Sequence, residues 1–135
     1  MPPSMYSIAP LVAAAAFLIV LGFVSGRGSE SRSAWTLTAA LAAIFAAWSI
    51  HAVLEHGLKA VWDEHIRNAW ANQIWFDLLL AIGTAYALLL PRARASGMRA
   101  FPWLLLIACT GSIGLLAMLA RCQFLESNRR TRGEA

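Results

Sequence analysis

The sequence predicts an all-α integral membrane protein: a four-helix transmembrane bundle with an interfacial amphipathic helix between spans two and three. Three observations carry this expectation. The chain is 59% hydrophobic and only 13% charged over 135 residues, against about 25% charged in an average soluble domain. The apolar residues gather in four runs, at 8–24, 35–54, 74–90 and 101–120. Each is about 17–20 residues long, enough to cross a hydrocarbon core of about 30 Å at roughly 1.5 Å per residue. Polar residues sit between and after these runs. Four spans leave no room for a separate soluble domain, so 1–124 is expected to form one membrane domain and 125–135 a polar disordered tail.

The first run is preceded by no Lys or Arg, and Val24-Ser25-Gly26 is a poor signal-peptidase site. It reads as a retained helix. The Gly/Ser-rich 25–34 reads as an exposed turn, and Trp35 as an interfacial aromatic opening span two. In that span Ala39, Ala43 and Ala47, and likewise Ala42 and Ala46, lie four apart. Small residues at this spacing let helices approach closely, which predicts a central helix. Within 58–71, Leu58, Val61, Trp62, Ile66 and Trp70 keep helical spacing opposite Lys59, Asp63, Glu64 and Arg67, the pattern of a helix lying in the interface. Asp77 opens span three and Pro91 is expected to close it. Arg92, Arg94 and Arg99 then form a basic loop, and Pro102 suits the first turn of span four. Thr110, Gly111, Ser112 and Gly114 make a small-residue notch midway along that span.

The net charge is +4, but the arginines stand at span ends and form no aromatic-interleaved face, which excludes a nucleic-acid module. In a membrane protein they are topology signals. With four spans, loops 25–34 and 91–101 share a side and are assigned to the cytoplasm. Both termini and the 56–73 segment then lie opposite. Arg129, Arg130 and Arg132 in the tail argue against that placement. Cys109 and Cys122 read as small packing residues without a disulfide framework.

Chemistry is expected in 51–77, which contains all three histidines, His51, His56 and His65. His51 and Glu55 share a helical face, and Asp77 lies at the membrane boundary. These three are the candidate catalytic residues for acid–base work on a lipid-soluble substrate. Trp48, Trp62, His65, Trp75, Gly111 and Gly114 are candidate ligand-binding residues. His51, Glu55, His56 and His65 are the metal candidates, but their spacing matches neither H-E-x-x-H nor H-x-x-E-H, and no metal is assigned. A purely structural reading has His51 and Glu55 locking the end of helix two, with Asp77 pairing Arg67 or capping helix three. The residues name no cofactor.

Two further stretches carry a resemblance: Trp75-Phe76-Asp77-Leu78-Leu79 leading to Pro91–Arg99, and Trp103 followed by Thr110-Gly111-Ser112-Ile113-Gly114-Leu115-Leu116. Together they resemble small multi-span bacterial membrane proteins of a domain family of unknown function. They are also distantly similar to the plant neoxanthin-synthase-type membrane family. The resemblance covers about 70–120 and picks out Phe76, Asp77, Gly97, Gly111, Gly114 and Leu115. Ser112 stands where the plant pattern has proline. It implies a multi-pass protein of a bacterial inner membrane. The expected partners are the bilayer and either a second copy or another membrane protein. The leading expectation is a non-enzymatic protein packing with such a partner. The alternative is an enzyme or binding protein for an isoprenoid- or carotenoid-type lipid.

Overall fold

A computed structural model describes residues 5–26 and 34–133, all of whose regular elements are helices. The first helix, α1 (Met5–Gly26), contains the first apolar run and forms a compact unit of its own. The predicted turn at 25–34 falls largely outside the described residues. The second unit holds α2 (Ala34–His56), α3 (Lys59–His65), α4 (Ala69–Ala95), α5 (Ala100–Thr110) and α6 (Ser112–Thr131). By length and composition, α2 and α4 are the two helices among the described residues that are long and apolar enough to cross a membrane.

Four boundaries differ from expectation. The interfacial helix is only α3, seven residues long. The chain breaks at 66–68, and the Asn68 side chain accepts a hydrogen bond from the Ala71 backbone N–H at 2.9 Å, so Asn68 caps α4 and Trp70 belongs to that helix. Competition from a good N-cap explains the break, because Asn offers the freed N–H groups an alternative to continuing the helix. At its other end α4 runs through Pro91 to Ala95. The proline removes one backbone bond, but the last turn is held from outside. Ala93 is 1% exposed, Arg92 pairs with Glu126, and Arg129 donates to the Ala95 carbonyl at 2.9 Å.

The third difference is the fourth apolar run, 101–120, which is not one helix. It breaks at Gly111, whose φ of +59° and ψ of −125° suit glycine because a Cβ is strained there. Beyond the break the chain doubles back. A Cβ on Gly114 would lie 2.9 Å from the Ile107 backbone, whereas residues seven apart in one straight helix stand about 10 Å apart. α5 and α6 therefore form an antiparallel hairpin with Gly111 at its tip and Gly114 where the two backbones meet. α5 is 11 residues long, about 16 Å, roughly half a membrane core. The fourth difference follows from the third. α6 returns past the start of α5 and stays helical to Thr131, so 125–131 is a helix end, half-buried as far as Ser127 and exposed beyond it.

The returning helix, rather than α2, is the hub. α2, α4 and α5 all pack on α6, while α2 and α4 do not meet each other. Met118 and Cys122 are fully buried among Leu89, Ala93 and Ile107, with Trp103, Tyr86 and Leu119 packed around them. Against α2, the Thr38 hydroxyl and Gln123 side chain bond at 2.9 Å and Trp35 meets Phe124 edge-on at 5.2 Å. Ala42 of α2 is buried here, while Ala43 and Ala47 face outward.

Candidate functional site: an apolar chamber above the hairpin tip

A hairpin that rises only halfway leaves the space beyond its tip unfilled. α2 and α4 flank that space without touching, and α3 crosses its far end. The result is a half-open chamber of about 1010 Å³, many of whose lining side chains, Leu54, Leu58 and Trp62 among them, stay largely exposed. Its α4 wall is Trp75, Leu78, Leu79, Ile82, Gly83 and Tyr86, one helical face at i, i+3, i+4, i+7, i+8 and i+11. The α2 wall includes Phe45, Ala46, Ser49 and Val53. α3 contributes Val61, Trp62 and His65, and Leu104, Ile107, Thr110 and Gly111 lie on the hairpin side. The size is that of a small-molecule site, and the walls are overwhelmingly hydrocarbon.

The polar groups at the α3 end are firmly positioned. His65 Nδ1 donates to the Val61 carbonyl one turn back. Its ring meets Trp75 edge-on at 4.4 Å. The Asn72 side chain donates to the His65 carbonyl at 2.6 Å, tying the end of α3 to α4. Thr110 is occupied by the Leu106 carbonyl at 2.7 Å, as a helical threonine often is.

The structure divides the sequence candidates into two groups. Trp62, His65, Trp75 and Gly111 come together on the chamber wall. His51, Glu55, His56, Asp77, Trp48 and Gly114 are not on it. Glu55 lies 3.4 Å from His51 and 3.7 Å from His56 at the exposed end of α2, and Trp48 stands beside His51 at 5.8 Å between ring centres. Asp77 is exposed on α4. It neither caps that helix nor pairs with Arg67, which reaches Glu64 at 3.2 Å. Among the described residues no group of three His, Cys, Asp or Glu side chains could hold a metal ion. Gly114 serves the hairpin contact instead of a ligand surface. The chamber also uses Gly83 and Tyr86, which the sequence reading passed over. Both interrupt a run of aliphatic residues, and their shared face with Trp75 was the available signal.

A second polar cluster lies at the opposite end. Arg92 grips Glu126 with two hydrogen bonds of 2.6 and 2.5 Å. These hold the Glu126 carboxyl below the ordinary glutamate range. Cys122 Sγ lies 3.6 Å from the Ser96 hydroxyl and 3.5 Å from Glu126, and burial pushes its thiol up. Cys122 is fully buried and the Arg92–Glu126 pair joins the two helices, so this cluster is a clamp between α4 and α6. Because the hairpin returns, Arg121, Arg129, Arg130 and Arg132 gather at the same end of the unit as Arg92, Arg94 and Arg99. Comparison with protein-family models, curated proteins and solved structures finds no match to this chain.

Proposed function

We propose that this chain is a multi-pass protein of a bacterial inner membrane that holds a lipophilic molecule in the chamber between the hairpin tip and α3. The single observation behind this reading is the chamber itself: about 1010 Å³ of apolar space at the depth where α2 and α4 would cross the hydrocarbon. Water gains little there, having few polar partners, whereas a hydrocarbon tail fits the walls. In this reading α2 and α4 span the bilayer. α1, at 22 residues, is long enough for a further crossing. The α5–α6 hairpin enters and leaves on one side, in place of the fourth span expected from composition. That placement puts Arg92, Arg94, Arg99, Arg129, Arg130 and Arg132 together on the cytoplasmic face, as the positive-inside rule favours, and removes the conflict posed by the tail. α3 then lies on the far face. Non-helical backbone at the hairpin tip is tolerable at this depth because the Gly111 N–H bonds the Ile107 carbonyl and its carbonyl accepts from the Leu115 N–H.

The test is a lipid extract of the purified protein and of Gly83→Phe. Gly83 faces open space on the chamber wall, so the larger side chain fills the chamber without colliding with backbone. A defined lipophilic compound should copurify with the wild-type protein and be lost from Gly83→Phe. Equal recovery of bulk lipid from both would defeat the reading. Impermeant maleimide should label Asn128→Cys and Arg94→Cys from one side and Lys59→Cys from the other.

A second reading, self-association, is supported by Ala43 and Ala47. They form an outward strip of small residues on α2 that no helix of this unit covers. Disulfide crosslinking of Ala43→Cys between copies would test it.

A further inference from the structure

His65 is held at three points within an otherwise apolar wall: its ring nitrogen Nδ1 on the Val61 carbonyl, its ring edge on Trp75, its own carbonyl on Asn72. A carbonyl can only accept, so Nδ1 must carry the proton in that bond. In the neutral ring this leaves Nε2 as a lone-pair acceptor, and it has no partner among the described residues. Trp62 and Trp75 also line the chamber, and their indole nitrogens are donors only; the hydroxyl side chains of Ser49, Tyr86 and Ser112 line it as well. The polar end of an occupant must therefore offer one proton to His65 and can accept one from an indole. A hydroxyl does both. An ether lacks the proton, and a carboxylate lacks it too and must first draw a proton from water onto the ring. We infer that the chamber selects a lipid alcohol, a long hydrocarbon with a terminal hydroxyl that donates to His65 Nε2 while its chain runs toward Gly111. This inference rests on the chamber reading above and adds the chemical class of its ligand.

The experiment uses the detergent-solubilised full chain and three probes of equal length: hexadecanol, its methyl ether and palmitate. Each competes with a brominated hexadecanol that quenches tryptophan fluorescence. The wild-type protein should bind the alcohol about five- to tenfold more tightly than the ether, the value of one neutral hydrogen bond. Palmitate should bind more weakly than the alcohol. In His65→Phe, which keeps a ring against Trp75 but has no acceptor, the alcohol and ether should bind alike. The wild-type competition alone tests the idea should that variant misfold. Equal affinity for alcohol and ether in the wild type, with both lost in Gly83→Phe, would overturn the hydroxyl assignment and leave the chamber reading standing. Tighter binding of palmitate would overturn it too. If none of the probes binds, the chamber reading fails and this inference with it.

Discussion

The two ends of the helical unit are built on opposite plans. At the arginine-rich end, α6 lies among α2, α4 and α5, Met118 and Cys122 are fully buried, and a two-bond Arg92–Glu126 pair clamps α4 to α6. At the α3 end no helix of this unit takes the central place that α6 takes at the other. α2 and α4 face each other across a chamber of about 1010 Å³, roofed by seven residues tied down through Asn72. The difference is that between a region filled by its own side chains and one that the helices of this unit leave open. The hairpin tip at Gly111 is the border between them. Side chains on one side of that border should govern the fold, and those on the other should govern binding.

The sharpest break would come from Met118→Ala. Removing a fully buried side chain from the hub should cost about 2–5 kcal/mol, the usual range for a core methionine. It should appear as a large fall in the melting temperature of the purified protein. Next, Gly114→Ala should cost about 1–3 kcal/mol, since its Cβ would press on the Ile107 backbone, which cannot rotate away as a side-chain end can. Gly83→Ala in the same assay should be near neutral, having no neighbour within 4 Å, and the contrast between these two glycines is the direct test of where the border lies. If Gly83→Ala is the more damaging, the comparison is wrong.

Glu126→Gln should cost about 1 kcal/mol, because the pair is bidentate but partly exposed to solvent. Its pH dependence has a definite sign. The Glu126 carboxyl is lowered in the fold, so its contribution is present above the unfolded glutamate value, about 4.3. It is lost as pH falls below that value through the folded one. Acid melting curves of the wild type and Glu126→Gln should therefore converge at low pH. The smallest effect is expected from His51→Ala, below about 0.5 kcal/mol, because its pairing with Glu55 is exposed. It should also leave chamber binding unchanged, whereas His65→Phe should alter it.

The helical class and the approximate places of α1, α2 and α4 were legible from apolar run length, since a span-length run has few folded forms open to it in a bilayer. Four of the candidate binding residues, Trp62, His65, Trp75 and Gly111, line the same chamber from three different sides. The grouping of His51, Glu55 and Asp77 was not legible from spacing. Residues i and i+4 share a helical face, as His51 and Glu55 do, but nothing in that rule says whether the face looks inward. Asp77 sits on a different helix, where it is exposed and off the chamber wall. Gly111 and Gly114 were noticed for their size and through the resemblance, and neither distinguishes a ligand surface from a reversal of the chain.

Composition by itself determined that this chain is helical and apolar, where its polar residues interrupt it, and that Gly111 and Gly114 mark the middle of the last apolar run. It could not determine that the run turns back there. A continuous helix of 20 residues and two shorter antiparallel ones satisfy the same local hydrogen-bonding needs. The choice between them rests on long-range contacts: Ile107 against Gly114, Met118 and Cys122 against α4, Gln123 against Thr38, Glu126 against Arg92. That one reversal places the arginines of the tail beside those of the 91–99 turn. It leaves half the depth of the unit without a filling helix, and so makes the chamber.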